Sequence, residues 1–163
     1  MHALTEAQIR ASLINVTQSE RKNITLPADP QGLPWEAMDF YGARDRKLPL
    51  VGYVVALLDD VPTGLLLRRA EAKPRSRTQC SWCNDIRLPN DVLLFTAKRT
   101  GDAGRRGDTV GTFVCDQFQC NANARKLPPL AYTGFDVEAA RLARIEAMRE
   151  GVEGFVRVVR DGL

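Results

Sequence analysis

Histidine is almost missing from this chain: the only one is His2, beside the N-terminus. Most hydrolytic designs use an imidazole to move protons or to activate a nucleophile, so Ser12, Ser19, Ser76 and Ser81 have no base to serve them. The same lack excludes a histidine-dependent metallonuclease. No Gly-x-x-x-x-Gly-Lys-Ser/Thr loop is present to cradle nucleotide phosphate. No apolar run reaches the roughly eighteen residues that a membrane-crossing helix needs. No apolar h-region opens the chain, so no secretory signal is expected. Internal repeats and low-complexity tracts are also missing. These absences point to a cytoplasmic binding protein, not an enzyme, with a monomer expected.

Cysteine is scarce as well, but the four present are patterned. Cys80-Ser81-Trp82-Cys83 forms one short loop, and Cys115-Asp116-Gln117-Phe118-Gln119-Cys120 forms another. Two disulfides would require an oxidising compartment. Two close-spaced thiol pairs are instead what a tetrahedral Zn²⁺ site needs, and an all-cysteine set closes the site, making the metal structural. Between the pairs, Val92–Ala97 and Thr109–Val114 read as strands joined by the Gly-rich loop Thr100–Asp108. Asp116, with Gln119 three residues on, reads as the N-cap of a helix that carries Cys120 in its first turn. Knuckle, hairpin and helix start follow one another in the order of a treble-clef zinc finger.

The net charge of +3 is unevenly placed. Arg68 to Lys126 holds twelve Lys/Arg against six Asp/Glu, whereas the remainder holds eleven against fourteen. The zinc segment is therefore basic and its flanks acidic, which suits an acidic protein surface or RNA, or merely a solvated basic face.

Elsewhere the patterns are conventional. Thr5 to about Arg21 reads as one helix with a Thr5–Gln8 capping box. Leu33–Gly42 reads as a short helical turn whose Trp35, Phe40 and Tyr41 seal the core. Gly52–Leu58 and Leu65–Arg69 read as a hairpin around the turn Asp59–Gly64, with Asp59 and Asp60 as solvated turn residues. Asp136 caps a last helix with an apolar stripe at Leu142, Ile145, Met148, Val152, Phe155 and Val159, interrupted by Gly151 and Gly154. The expected fold class is α+β: a small antiparallel sheet with flanking helices and a treble clef. Residues 1–32 form an N-terminal helix and loop, and residues 33–163 form the binding domain.

Hairpin, Cys-x-Trp-Cys knuckle, Gly- and Arg-rich loop, second cysteine pair, helix, Pro128-Pro129 and terminal helix together resemble the elongation factor G-binding proteins. These are the FusB-type fusidic acid resistance proteins and their shorter relatives, and residues 33–160 carry the resemblance. It implies a C-terminal treble-clef domain that holds one Zn²⁺ through Cys80, Cys83, Cys115 and Cys120. It also implies binding to elongation factor G on or off the ribosome and release of the factor from stalled complexes. The resistance proteins carry a helical bundle ahead of the finger, where this chain offers one helix and a loop. Arg106 falls where the family places a basic contact residue, and Phe118 and Arg125 flank the second ligand pair. With Lys98, Arg99 and Arg105 in the basic loop, and with Trp82 as an exposed aromatic ringed by arginine, they make up the expected partner surface. The alternative is direct RNA or rRNA binding by the same face, with Trp82 stacking on a base.

Overall fold

The computed structural model describes residues 1–163 apart from Ala28, Ile86 and Leu163. Five strands follow one another in chain order across one antiparallel sheet: β1 (Phe40–Arg44), β2 (Val51–Leu58), β3 (Val61–Arg69), β4 (Val92–Lys98) and β5 (Thr109–Cys115). Five α-helices accompany it: α1 (Glu6–Ser12), α2 (Gln18–Asn23), α3 (Gly101–Arg105), α4 (Cys120–Arg125) and α5 (Val137–Asp161). The α+β expectation holds.

The apolar run of β2 has a simple cause. Tyr53 and Val55 face a layer built by the N-terminal segment, with Leu4, Ile9, Leu13, Ile24 and Trp35. Val54, Ala56 and Leu58 face the opposite layer, with Trp82, the four cysteines, and Met148, Val152, Val156 and Val159 of α5. A strand buried on both faces loses the alternation of a half-exposed one. The N-terminal segment thus shares a core with the sheet.

Several elements differ from the sequence reading. The expected helix from Thr5 to Arg21 is two short helices, each opened by its own capping box, Thr5–Gln8 and Thr17–Glu20. Between them the chain leaves the helix so that Leu13 bridges Gly64 and the Ile14 N–H donates to the Gly64 carbonyl at 3.0 Å. The Asn15 amide then fills a seam where β3 and β4 part. It donates to the carbonyls of Leu66 (2.9 Å) and Lys98 (3.1 Å) and accepts from the Leu66 N–H (2.8 Å). β3 and β4 pair directly only near their base, at Arg68–Thr96 and Arg69–Phe95 and through the Ala70 N–H on the Leu94 carbonyl at 2.8 Å.

The Leu33–Gly42 stretch makes a 3₁₀ turn at Trp35–Ala37 and then enters β1, because Phe40 and Tyr41 bury alternately on opposite faces as strand residues do. The β2–β3 turn is only Asp59-Asp60, both left-handed (φ 53° and 64°), as a two-residue turn between right-twisted strands requires. Asp59 pairs with Arg157 at 3.1 Å.

Helix α5 runs unbroken through both glycines. At Gly151 an added Cβ would meet the knuckle backbone, with the Ser81 carbonyl oxygen at 3.4 Å, so the small residue lets helix and knuckle lie close. At Gly154 an added Cβ meets nothing within 4 Å. Gly154→Ala is therefore expected to stabilise the protein by about 0.5–1 kcal/mol, the helix-interior cost of glycine. Chemical denaturation of the variant beside the parent measures this, and an unchanged midpoint would mean that α5 frays at this position.

Candidate metal centre and basic surfaces

The metal centre starts from two tight turns. Cys80 and Cys83 bracket the first, closed by the Asn84 N–H on the Cys80 carbonyl at 3.0 Å, with Asn84 left-handed. The Ser81 N–H donates to the Phe113 carbonyl at 2.7 Å, which straps this knuckle to β5. Cys115 is the last residue of β5 and Cys120 the first of α4. The turn between them is closed by the Phe118 N–H on the Cys115 carbonyl, with Phe118 left-handed (φ 57°). Asp116 is not the N-cap expected of it: Gln119 takes that position, and Asp116 instead pairs with Arg44 at 2.8 Å.

All four sulfurs are buried and lie within 4.8 Å of one another. Cys80 and Cys120 sulfurs are 3.5 Å apart, and those of Cys83 and Cys115 are 3.7 Å apart. Four sulfurs at Zn–S distances of about 2.3 Å around a tetrahedral ion stand about 3.8 Å from one another, so the cluster fits Zn²⁺. Crowding also divides the thiols. Cys80 is pushed down because Cys115 first, then Cys120 and Cys83, can donate to its sulfur, and Cys115 is pushed down chiefly by Cys120. Cys83 and Cys120 are pushed up, each mainly by Cys115. Four packed sulfurs cannot all ionise without a cation among them, and a divalent ion supplies it. These residues form a zinc-binding site for one structural Zn²⁺, held closed by four protein ligands.

The supporting shell was not read from the sequence. Asn123 donates to the Cys115 sulfur at 3.5 Å and to Asn90 at 3.0 Å. It lies three residues after Cys120 on α4, which puts both on one helix face, so helical spacing from a ligand was the available signal. Arg144 of α5 pairs with Asp85 beyond the knuckle at 2.7 Å and donates to the Asn123 carbonyl at 3.3 Å, joining helix, knuckle and α4. Such outer partners orient ligands and tune their basicity.

The seven residues expected at the partner surface separate into three groups. Trp82 and Phe118 are core residues, at 1% and 4% exposure, which corrects the reading of an exposed aromatic. The Trp82 ring meets Phe40 edge-on at 5.4 Å, stacks on Phe118 at 6.3 Å and packs on Phe155 at 6.1 Å. Phe118 fits only because Gly42 and Gly52 present no side chain: a Cβ there would come within 2.5 Å and 2.7 Å of it. Neither ring can stack on a base or insert into a partner.

Arg125 and Arg99 are spent inside the molecule. Arg125 pairs with Asp39 at 2.8 Å and bonds the Asn121 carbonyl. Arg99 is half-buried against Gly162 at the end of α5. Lys98, Arg105 and Arg106 are exposed, the last two with side chains 74% and 69% accessible. Arg105 pairs with Asp102, and Arg106 lies 3.7 Å from Asp108.

The basic loop also lies away from the metal. Lys98 pairs with Thr109 at one end of the β4–β5 ladder, and Val92 with Cys115 at the other. Six strand rises separate the two ends, about 20 Å. The loop stands between the cysteine pairs in sequence but not in space. Its anchor is the C-terminus of α5: the Thr100 hydroxyl donates to the Arg160 carbonyl at 2.6 Å, and its N–H to Val159 at 3.2 Å.

Large exposed apolar side chains concentrate on the connector from α4 to α5, where Leu127, Leu130 and Tyr132 are 60%, 76% and 66% exposed. Among the described residues no helix is long and apolar enough to cross a membrane. The model of the FBP C-terminal treble-clef zinc-finger family matches residues 8–159, a wider span than the motifs alone suggested. A search of curated proteins finds no match.

Proposed function

The chain belongs to the FBP C-terminal treble-clef zinc-finger family, and from that premise we propose that it binds translation elongation factor G in the cytoplasm. On the ribosome, this binding promotes release of the factor from complexes stalled as fusidic acid stalls them. The role is one of binding, not catalysis. The zinc centre holds the scaffold, and the contact is made by the β4–β5 tip.

The observation that carries the contact assignment is the exposure of Arg105 and Arg106 on a tip tied to the end of α5 by Thr100. Binding residues concentrate on loops that a rigid scaffold positions. Each arginine has only an exposed acidic neighbour to give up, so a partner carboxylate can replace it at little cost.

Arg105→Ala with Arg106→Ala is expected to weaken binding to purified elongation factor G by about 1–3 kcal/mol, the range for hot-spot arginines. Melting should stay within about 0.5 kcal/mol of the parent, as for other exposed substitutions. Calorimetric titration of nuclease-treated proteins reads the binding, and a thermal melt of each variant reads the stability. If the double variant binds as tightly as the parent, the tip is not the contact.

A further inference from the structure

The most cationic exposed stretch of the molecule is not the β4–β5 tip but the lead into the zinc knuckle. Lys73, Arg75, Arg77 and Arg87 are all exposed; of the carboxylates nearest them in sequence, Glu71 is exposed, and Asp85 and Asp91 are already paired. Asp85 is held by Arg144, and Asp91 pairs with Lys73 at 2.7 Å. Among the described residues no carboxylate lies within ion-pair distance of Arg75, Arg77 or Arg87. Arg77 is steadied by donating to the Leu88 carbonyl at 2.9 Å. Beside these arginines runs a cleft of about 250 Å³ lined by Lys73, Ser76, Arg77, Thr78 and Asn90.

The chemistry of this face is selective. Its donors are Arg, Lys, Ser, Thr and Asn, the set that proteins bring to phosphate oxygens, and the carboxylate on the cleft, Asp91, is paired with Lys73. Among the described residues it has none of the large exposed apolar side chains that mark a protein interface, since those lie at Leu33, Leu48, Val61, Leu127, Leu130, Tyr132 and Leu142. It has no exposed aromatic ring to stack on a base. Clustered, unpaired arginines without an apolar anchor suit a polyanion whose charge is spread along a backbone.

We propose that the knuckle face formed by Arg75, Arg77 and Arg87, with the Lys73–Asn90 cleft, binds the phosphate backbone of a nucleic acid without reading its sequence. Val92 and Leu93, at the cysteine end of β4, also line the cleft, so this face and the β4–β5 tip lie at opposite ends of the ladder. One chain can therefore hold a nucleic acid and a protein partner together, and the two contacts can be tested separately.

The test is fluorescence anisotropy of the full zinc-loaded chain with short labelled RNA and DNA duplexes of equal length, between about 50 and 200 mM salt. Neutralising three phosphates predicts a log–log slope of about −2 to −3. Replacing Arg75, Arg77 and Arg87 together by Ala should weaken binding by about tenfold or more at the lowest salt and flatten that slope. Arg75→Glu with Arg87→Glu, which keeps the Arg77 bond to Leu88, should do the same at unchanged zinc content. The Arg105/Arg106 double variant should bind nucleic acid as the parent does, and the knuckle variants should bind the elongation factor normally. Tighter binding of RNA than DNA assigns RNA, and equal binding assigns phosphate alone. No binding at about 50 mM salt, salt-insensitive binding, knuckle variants that bind like the parent, or tighter capture of polyglutamate than of either duplex would each overturn the proposal.

Discussion

Cys83→Ser is expected to lose stoichiometric zinc and, with it, the cooperative fold of the layer around α5. Metal binding at such sites is folding free energy, about 10–16 kcal/mol apparent in zinc-finger peptides. That is as large as the whole stability of an ordinary domain, about 5–15 kcal/mol. The four ligands come from the knuckle, the end of β5 and the start of α4, so the ion ties three separate pieces of chain to one point. Without the ion, four buried sulfurs remain crowded within 4.8 Å, with no charge to balance any thiolate. Metal analysis should give near-zero zinc, and the melting transition should fall sharply and broaden. Chelation of the parent should reproduce the effect. A native-like melting temperature in either case would refute a structural role for the metal.

Trp82→Ala is the next largest effect expected, about 3–5 kcal/mol, the cost of truncating a large buried aromatic. The ring touches Phe40 of β1, Phe118 of the second cysteine turn and Phe155 of α5, so its removal opens a cavity where sheet, finger and helix meet. For a chain of this length each kcal/mol moves the melting temperature by about 2–4 °C, which makes the shift about 6–20 °C. Zinc should stay bound at ambient temperature, because no ligand is touched. A shift below about 2 °C would place the indole outside the core. Full zinc with a low melting temperature separates this lesion from that of Cys83→Ser.

The metal ligands were legible because thiolate spacing is a local property: each pair sits on one turn. The strands β2, β4 and β5 and helix α5 were legible because their apolar patterns repeat over enough residues to declare a period. What failed depended on distant residues. Trp82 looks exposed because its neighbours in sequence are polar, yet β1 and α5 bring Phe40 and Phe155 to it. The place of Phe118 depends on Gly42 and Gly52, far back in the chain. The break between α1 and α2 depends on Gly64 and on the seam that Asn15 fills. Even so, Thr17 and Glu20 form a second capping box that announces the restart. Grouping the basic loop with Trp82 in one surface fails because the loop is near the cysteine pairs only in sequence: a strand carries its two ends about 20 Å apart.

The seam filled by Asn15 also bears on the order in which the molecule assembles. β1, β2 and β3 form one meander and β4 with β5 another, and each closes through short connections. Directly joined only at one end of β3, the two meanders depend on a side chain that comes from 51 residues before Leu66 and 83 residues before Lys98. Closing such long loops is entropically slow compared with zipping a hairpin. The segment that carries Asn15 is therefore among the last to be locked in place, waiting on both meanders before its amide has anything to bind.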